Sequence, residues 1–318
     1  VMSWRPRFKT PIPANGSSGR RRWLTTVLKA LVSLGLLTYL FSKIDVRSVG
    51  EALRNLHGGY FVLALVGFLS LQLVGILRWR IMARVQGYGH AFRELAAFYF
   101  AGLFFNLFLP TSIGGDLGRC YYLAGSRSDI LRAMTTVLAD RVSGMIALMC
   151  IAAAALLAGD SVVIPAWMTV VTVGGAAALI LGLLAPFARP GLFRRYELPY
   201  RYWENPRFMA SSLAASFFIQ LSIVVINMFI GRAVGVEIPW GFYFVFTPLV
   251  AVAGMIPISL NGLGVREGAY VYFLSQAGAA APQAMAFAIV WLILVTTVSL
   301  LGGIGWILAS RSFDSVKA

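Results

Sequence analysis

Charge is scarce in this sequence. Asp, Glu, Lys and Arg together make up 12% of 318 residues, and acids are the rarer kind, 12 against 27 bases. Hydrophobic residues reach 59% and the mean hydropathy is +0.78, which excludes a soluble globular domain, where about a quarter of residues are charged. Cysteine is nearly absent: Cys120 and Cys150 permit neither a disulfide framework nor a cysteine-built zinc cluster. The two histidines, His57 and His90, have no second ligand at metal spacing, so no metal site is expected. A Gly-x-Ser-x-Gly elbow, a phosphate-binding Walker loop and any extramembrane stretch long enough to fold are also missing. Their absence argues against soluble catalysis, ATP-driven pumping and a bound cofactor.

Long apolar runs are what the chain has. Stretches near 23–42, 58–77, 130–158, 163–186, 207–231 and 282–309 are each long enough to cross a hydrocarbon core roughly 30 Å thick. Two further apolar stretches, 92–109 and 240–256, run into Pro, Gly and charge as 110-PTSIGGDLGR-119 and 257-PISLNGLGVREG-268. Residues 1–22 hold basic residues among Pro, Gly and Ser without an apolar run, which reads as a disordered cytoplasmic tail rather than a cleavable signal.

The net charge of +15 is explained by orientation in a membrane rather than by nucleic acid, because Lys and Arg are retained in cytoplasmic loops. Arg5 to Arg22 precede the first span, Arg78, Arg80, Arg84 and Arg93 follow the second, and Arg189 to Arg207 fill the long later loop. These clusters share one side only if 92–127 and 240–276 are re-entrant hairpins entering from opposite faces. The tips also align as Pro-x-Ser-x-x-Gly-x-x-x-Arg: Pro110, Ser112, Gly115, Arg119 against Pro257, Ser259, Gly262, Arg266. The expected fold is an all-α integral membrane protein with about six spanning helices plus two re-entrant helical hairpins in an inverted repeat. Its domain is 23–310, its repeat units are roughly 58–158 and 207–309, and a short tail follows at 311–318. Both termini are expected to be cytoplasmic. Broken helices in inverted repeats mark transporter binding sites.

Non-helical backbone is tolerated at membrane depth only where it lines protein or a watery cavity. The glycines of the tips, Gly114, Gly115, Gly118, Gly262 and Gly264, therefore point to a cavity and a cargo. With Ser112, Ser259 and Asn261 they let backbone N–H groups approach an anion, and Arg119 and Arg266 add donor forks suited to phosphate. Asp140 and Arg141 lie about 15 Å along the 130–158 span, where charge is expensive and needs partners on other segments. Arg119 or Arg266 is available to Asp140, and Asp116 or Glu267 to Arg141, either as a coupling network or as structural pairs. Gln220 and Asn227 read as interhelical glue, and Trp79, Tyr88, Tyr196, Tyr200, Tyr202 and Trp203 as headgroup-level aromatics.

Taken together, 110-PTSIGGDLGR-119, 139-ADRVSG-144 and 257-PISLNGLGVREG-268 resemble the lysylphosphatidylglycerol synthase transmembrane-region family over nearly the whole chain after residue 22. The resemblance implies a flippase-like domain of a bacterial or archaeal plasma membrane that handles anionic lipids, in a stand-alone form without the aminoacyl-transferase domain. The charged positions that match are Asp116, Arg119, Asp140, Arg141, Arg266 and Glu267; Asp140 stands where many members carry Glu. The expected partners are membrane lipids with anionic headgroups and a lipid-modifying enzyme. The alternative is a membrane-embedded enzyme or accessory subunit of glycolipid or polyprenyl-sugar synthesis, with Asp140 and Glu267 as acid and base.

Overall fold

The computed structural model describes residues 16–108, 113–126, 128–158, 165–256 and 258–315. The described residues form helices α1 (Gly16–Lys43), α2 (Val46–Arg54), α3 (Gly58–Val85), α4 (Phe92–Phe108), α5 (Ile113–Ala124), α6 (Ile130–Leu157) and α7 (Ala166–Ala188). After two single turns, α8 (Pro190–Phe193) and α9 (Glu197–Tyr200), come α10 (Pro206–Ala233), α11 (Trp240–Met255), α12 (Val265–Gln276) and α13 (Ala281–Ser315). Helices α1, α3, α6, α7, α10 and α13 are long and apolar enough to span a membrane, which are the six expected from the apolar runs. The chain is a multi-pass membrane protein.

Two boundaries differ from the hydropathy reading. Helix α1 begins at Gly16, taking in the end of the basic stretch, and α3 runs on to Val85 rather than stopping near 77. The extra turns of α3 continue because Arg78, Trp79, Met82 and Ala83 face the bundle and are buried, while Arg84 points outward. Helix α2 lies outside every apolar run. Asp45 caps it, its carboxylate accepting the N–H groups of Arg47 and Ser48 and the Ser48 hydroxyl.

Helices α4 and α5 form one antiparallel hairpin and α11 and α12 another. The first has its base at the Val85 end of α3, where Tyr88 donates to the Asp129 carbonyl and His90 sits within 3.2 Å of the Leu123 carbonyl. The second has its base at the opposite end, where the His57 N–H donates to the Ala233 carbonyl and Gln283 to the Gly235 carbonyl. Their tips meet inside the bundle: Asn261 Nδ2 donates to the Asn106 carbonyl at 2.8 Å.

Small residues bring the helices together, as they must where lipid supplies no hydrophobic drive. Gly302 and Gly303 of α13 take Phe100 and Phe104 of α4, and Gly231 of α10 takes Tyr243 of α11. A larger core of Phe242, Phe246, Tyr270 and Phe287 holds α11, α12 and α13 together, and a smaller one of Trp79, Leu95 and Leu123 holds α3 to the first hairpin.

Candidate functional site

The site is built outward from the middle of α6. Asp140 and Arg141 are consecutive, so their side chains diverge by about 100° and reach different neighbours. Asp140 faces α3 and α5: Arg78 Nε donates to it at 2.9 Å and Arg119 Nη2 lies 3.6 Å away. Arg141 faces the start of α5 and donates through Nε and Nη2 to Asp116 at 2.9 and 2.6 Å. Asp116 also lies 3.6 Å from Arg119. The result is an alternating chain, Arg78–Asp140–Arg119–Asp116–Arg141, joining α3, α5 and α6 with three guanidiniums against two carboxylates.

Four of its members, Arg78, Asp140, Arg119 and Asp116, are buried. Burying such ions costs several kcal/mol each, which close pairing offsets. Arg78 and Asp140 are tightly bound; Arg78 also donates to Ser216, and Ser216 to Ser143. Arg119 is held more loosely. It lies over the rings of Trp79 and Tyr99 at 4.4 and 4.7 Å, and its Nε and Nη2 have no hydrogen-bond partner. A buried guanidinium with unused donors is costly in this state and ready for a stronger acceptor.

The two tips share one packing arrangement. In the first hairpin Gly115 closes on the Gly102 carbonyl and the Arg119 side chain lies along Gly102. In the second Gly262 closes on the Gly254 carbonyl and the Arg266 side chain lies along Gly254. Each arginine stands four residues after its tip glycine. The second tip turns through left-handed backbone at Asn261, Gly262 and Gly264, conformations natural to glycine and tolerated by asparagine. Glu267 then accepts the Gly264 N–H at 2.6 Å and opens α12.

The arginines differ in their charge partners. Arg119 has two carboxylates within reach, whereas among the described residues half-buried Arg266 has none within 4 Å and makes only a 3.4 Å bond to the Asn261 carbonyl. Ser259, buried beside it in sequence, has a hydroxyl without a hydrogen-bond partner. The first tip carries its own link, the Gly115 N–H donating to Asn106 Oδ1 at 2.9 Å.

Of the pairings open to α6, the molecule uses Arg119 for Asp140 and Asp116 for Arg141; Glu267 is a helix cap, so ion pairs tie the first hairpin to α6 but not the second. Gly114, Gly115 and Gly118 stand inside α5 rather than in open loop, where Gly115 serves close packing. Ser112, Pro110 and Pro257 lie outside the described residues. Asn227 donates to Thr247 and Gln220 to the Gly144 carbonyl, both interhelical bonds. Trp79 is not at the headgroup level; it is wholly buried and donates to Thr136. Arg78, grouped by sequence with the loop arginines, is the functional residue missed. The signal was there in the apolar spacing of Trp79, Met82 and Ala83 around it.

A family model described as lysylphosphatidylglycerol synthase TM region matches residues 26–303, a stretch that holds every charged group of the site. The chain belongs to that family. No curated protein matches it. Membership makes it a membrane protein of lipid metabolism or transport, and the family match begins within α1 and ends within α13, taking in both hairpins and the ion chain.

Proposed function

We propose that this protein carries an anionic lipid headgroup, a phospholipid or a polyprenyl-linked phosphate, between the two leaflets while the hydrocarbon tails stay in lipid. In this reading the two hairpins are re-entrant, form an inverted repeat and enter from opposite faces of a bacterial or archaeal plasma membrane. The opposed hairpin bases, the shared Gly–Gly–Arg packing and the Asn106–Asn261 contact favour that arrangement. Both termini face the cytoplasm, where the basic clusters lie.

The observation that carries the proposal is the charge balance at the tips. The ion chain has one more guanidinium than carboxylate, and Arg266 adds a cation with no acid within 4 Å among the described residues. Positive charge at membrane depth is costly unless an anion offsets it, and a phosphate does so with oxygens that match the guanidinium fork. Arg266 and Ser259 receive the headgroup first. Asp116 and Asp140 hold Arg119 while the site is empty, and the arriving phosphate competes with them for it. The two states differ in who pairs with Arg119, so cargo biases the exchange between them.

A lipid-modifying enzyme in the same membrane is the natural supplier of cargo, and the protein itself takes no catalytic step. The test is leaflet exchange in liposomes of fluorescent phosphatidylglycerol, polyprenyl phosphate and phosphatidylcholine. Exchange of an anionic probe well above that of phosphatidylcholine is expected. No exchange of any probe, with or without a pH gradient, would overturn transport and favour the enzyme or accessory role.

A further inference from the structure

A second lipid site lies away from the tips. Between α3, α6, α7 and α10, at the end of the bundle where α3 stops at Val85, there is a pocket of about 270 Å³. Its walls are almost entirely apolar, with Leu138, Val142 and Ile146 on one side and Leu179 and Leu183 on the other. Tyr202 and Trp203 cover its end, tethered by bonds to the Met82 and Leu183 carbonyls. Along α6 it runs from Thr135 to Ile146, about 16 Å at 1.5 Å per residue. That is about half of a hydrocarbon core roughly 30 Å thick, the depth of a single leaflet.

Two features identify the occupant. Ser212, which lines the pocket near the start of α10, is 4% exposed and its hydroxyl has no hydrogen-bond partner; a lipid ester carbonyl at that level would accept from it. Exposed Arg84 and Arg207 stand next in sequence to the lining residues Val85 and Phe208, so the mouth is positively charged. We propose that the pocket holds one acyl chain of an anionic phospholipid of that leaflet, its ester bonded to Ser212 and its headgroup set against Arg84 and Arg207. The bound lipid braces the ion chain from behind, because the lining residue Ser143 accepts from Ser216, which accepts from Arg78.

The site is tested in nanodiscs with phosphatidylglycerol carrying a photoreactive diazirine on one acyl chain, with adducts mapped by peptide mass spectrometry. Adducts should concentrate at 138–146, 178–183 and 209–213 relative to the outward residues Val170 and Val171. A Cβ at lining residue Gly182 meets nothing within 4 Å, so Gly182→Phe can occupy the pocket without disturbing backbone; Ala178→Phe is an independent second block. Either block should reduce pocket adducts to background and leave labelling at Val170 and Val171 unchanged. Arg84→Ala and Arg207→Ala should each weaken phosphatidylglycerol labelling roughly fivefold without affecting a phosphatidylcholine probe. Pocket adducts that persist in both blocked variants, or wild-type labelling by phosphatidylcholine equal to that by phosphatidylglycerol, would overturn the assignment.

Discussion

Arg78 shows what a single residue contributes here and why it was hard to read. In sequence it opens a run with Arg80 and Arg84 just beyond an apolar stretch, the pattern of a cytoplasmic loop. Its partner Asp140 is 62 residues away, and nothing local announces a contact of that range. The need of Asp140 and Arg141 for partners was legible, because charge in mid-span must be compensated; which of several candidates serves was not, since it depends on how α3, α5 and α6 rotate against one another. Arg78→Leu leaves Asp140 buried with only the distant Arg119, and should destabilise the protein by about 3–5 kcal/mol, read as a loss of folded protein in thermal or detergent challenge. The double variant Arg78→Met, Asp140→Leu removes both charges and should recover most of that loss. Equal damage in single and double variants would mean the pair does not act as a unit.

Among elements, the spanning helices were visible as apolar runs, and the hairpins as apolar runs ended by Pro, Gly and charge. Helix α2 was not, because it is short and amphipathic and its only markers are the Asp45 cap and the Arg47–Glu51 pair. Tip glycines were singled out for backbone freedom, but Gly115 is helical and is required for closeness. A Cβ there would meet the Gly102 carbonyl and Asn106 side chain, so Gly115→Ala should force α4 and α5 apart and sharply lower both stability and exchange. Gly174→Ala, on α7 with nothing within 4 Å, should be neutral or stabilising by up to about 1 kcal/mol. Parallel melting curves of the two variants decide it. The contact between tips has its own probe: Asn261→Gly keeps the left-handed backbone but loses the bond to Asn106, and should alter exchange rate with little change in melting temperature.

At the scale of the whole molecule, the scarce charges set orientation and site together. Most of the 27 Lys and Arg cluster at the end of the bundle that holds Val85, Ile130 and Pro206, whereas Arg54 and Arg232 lie at the other end. In a Cys120→Ala, Cys150→Ala background, single cysteines at exposed Arg84 or Arg207 should react with membrane-impermeant reagents only from the cytoplasmic side. Cysteines at Arg54 or Arg232 should react only from outside, and the reverse pattern would invert the threading. The acids are few because only those that hold Arg119, Arg78 and Arg141 are tolerated at depth, and the second tip keeps Arg266 without one.

That unmatched charge is the center of the account, and leaflet exchange of an anionic phospholipid across a series at position 266 tests it most directly. Arg266→Lys, which keeps the charge but loses the fork, should retain part of the wild-type rate, and Arg266→Gln and Arg266→Ala should fall to the protein-free rate while remaining folded, since no ion pair is broken. Wild-type exchange in Arg266→Ala would contradict the claim that a headgroup is drawn through the meeting point of the two tips.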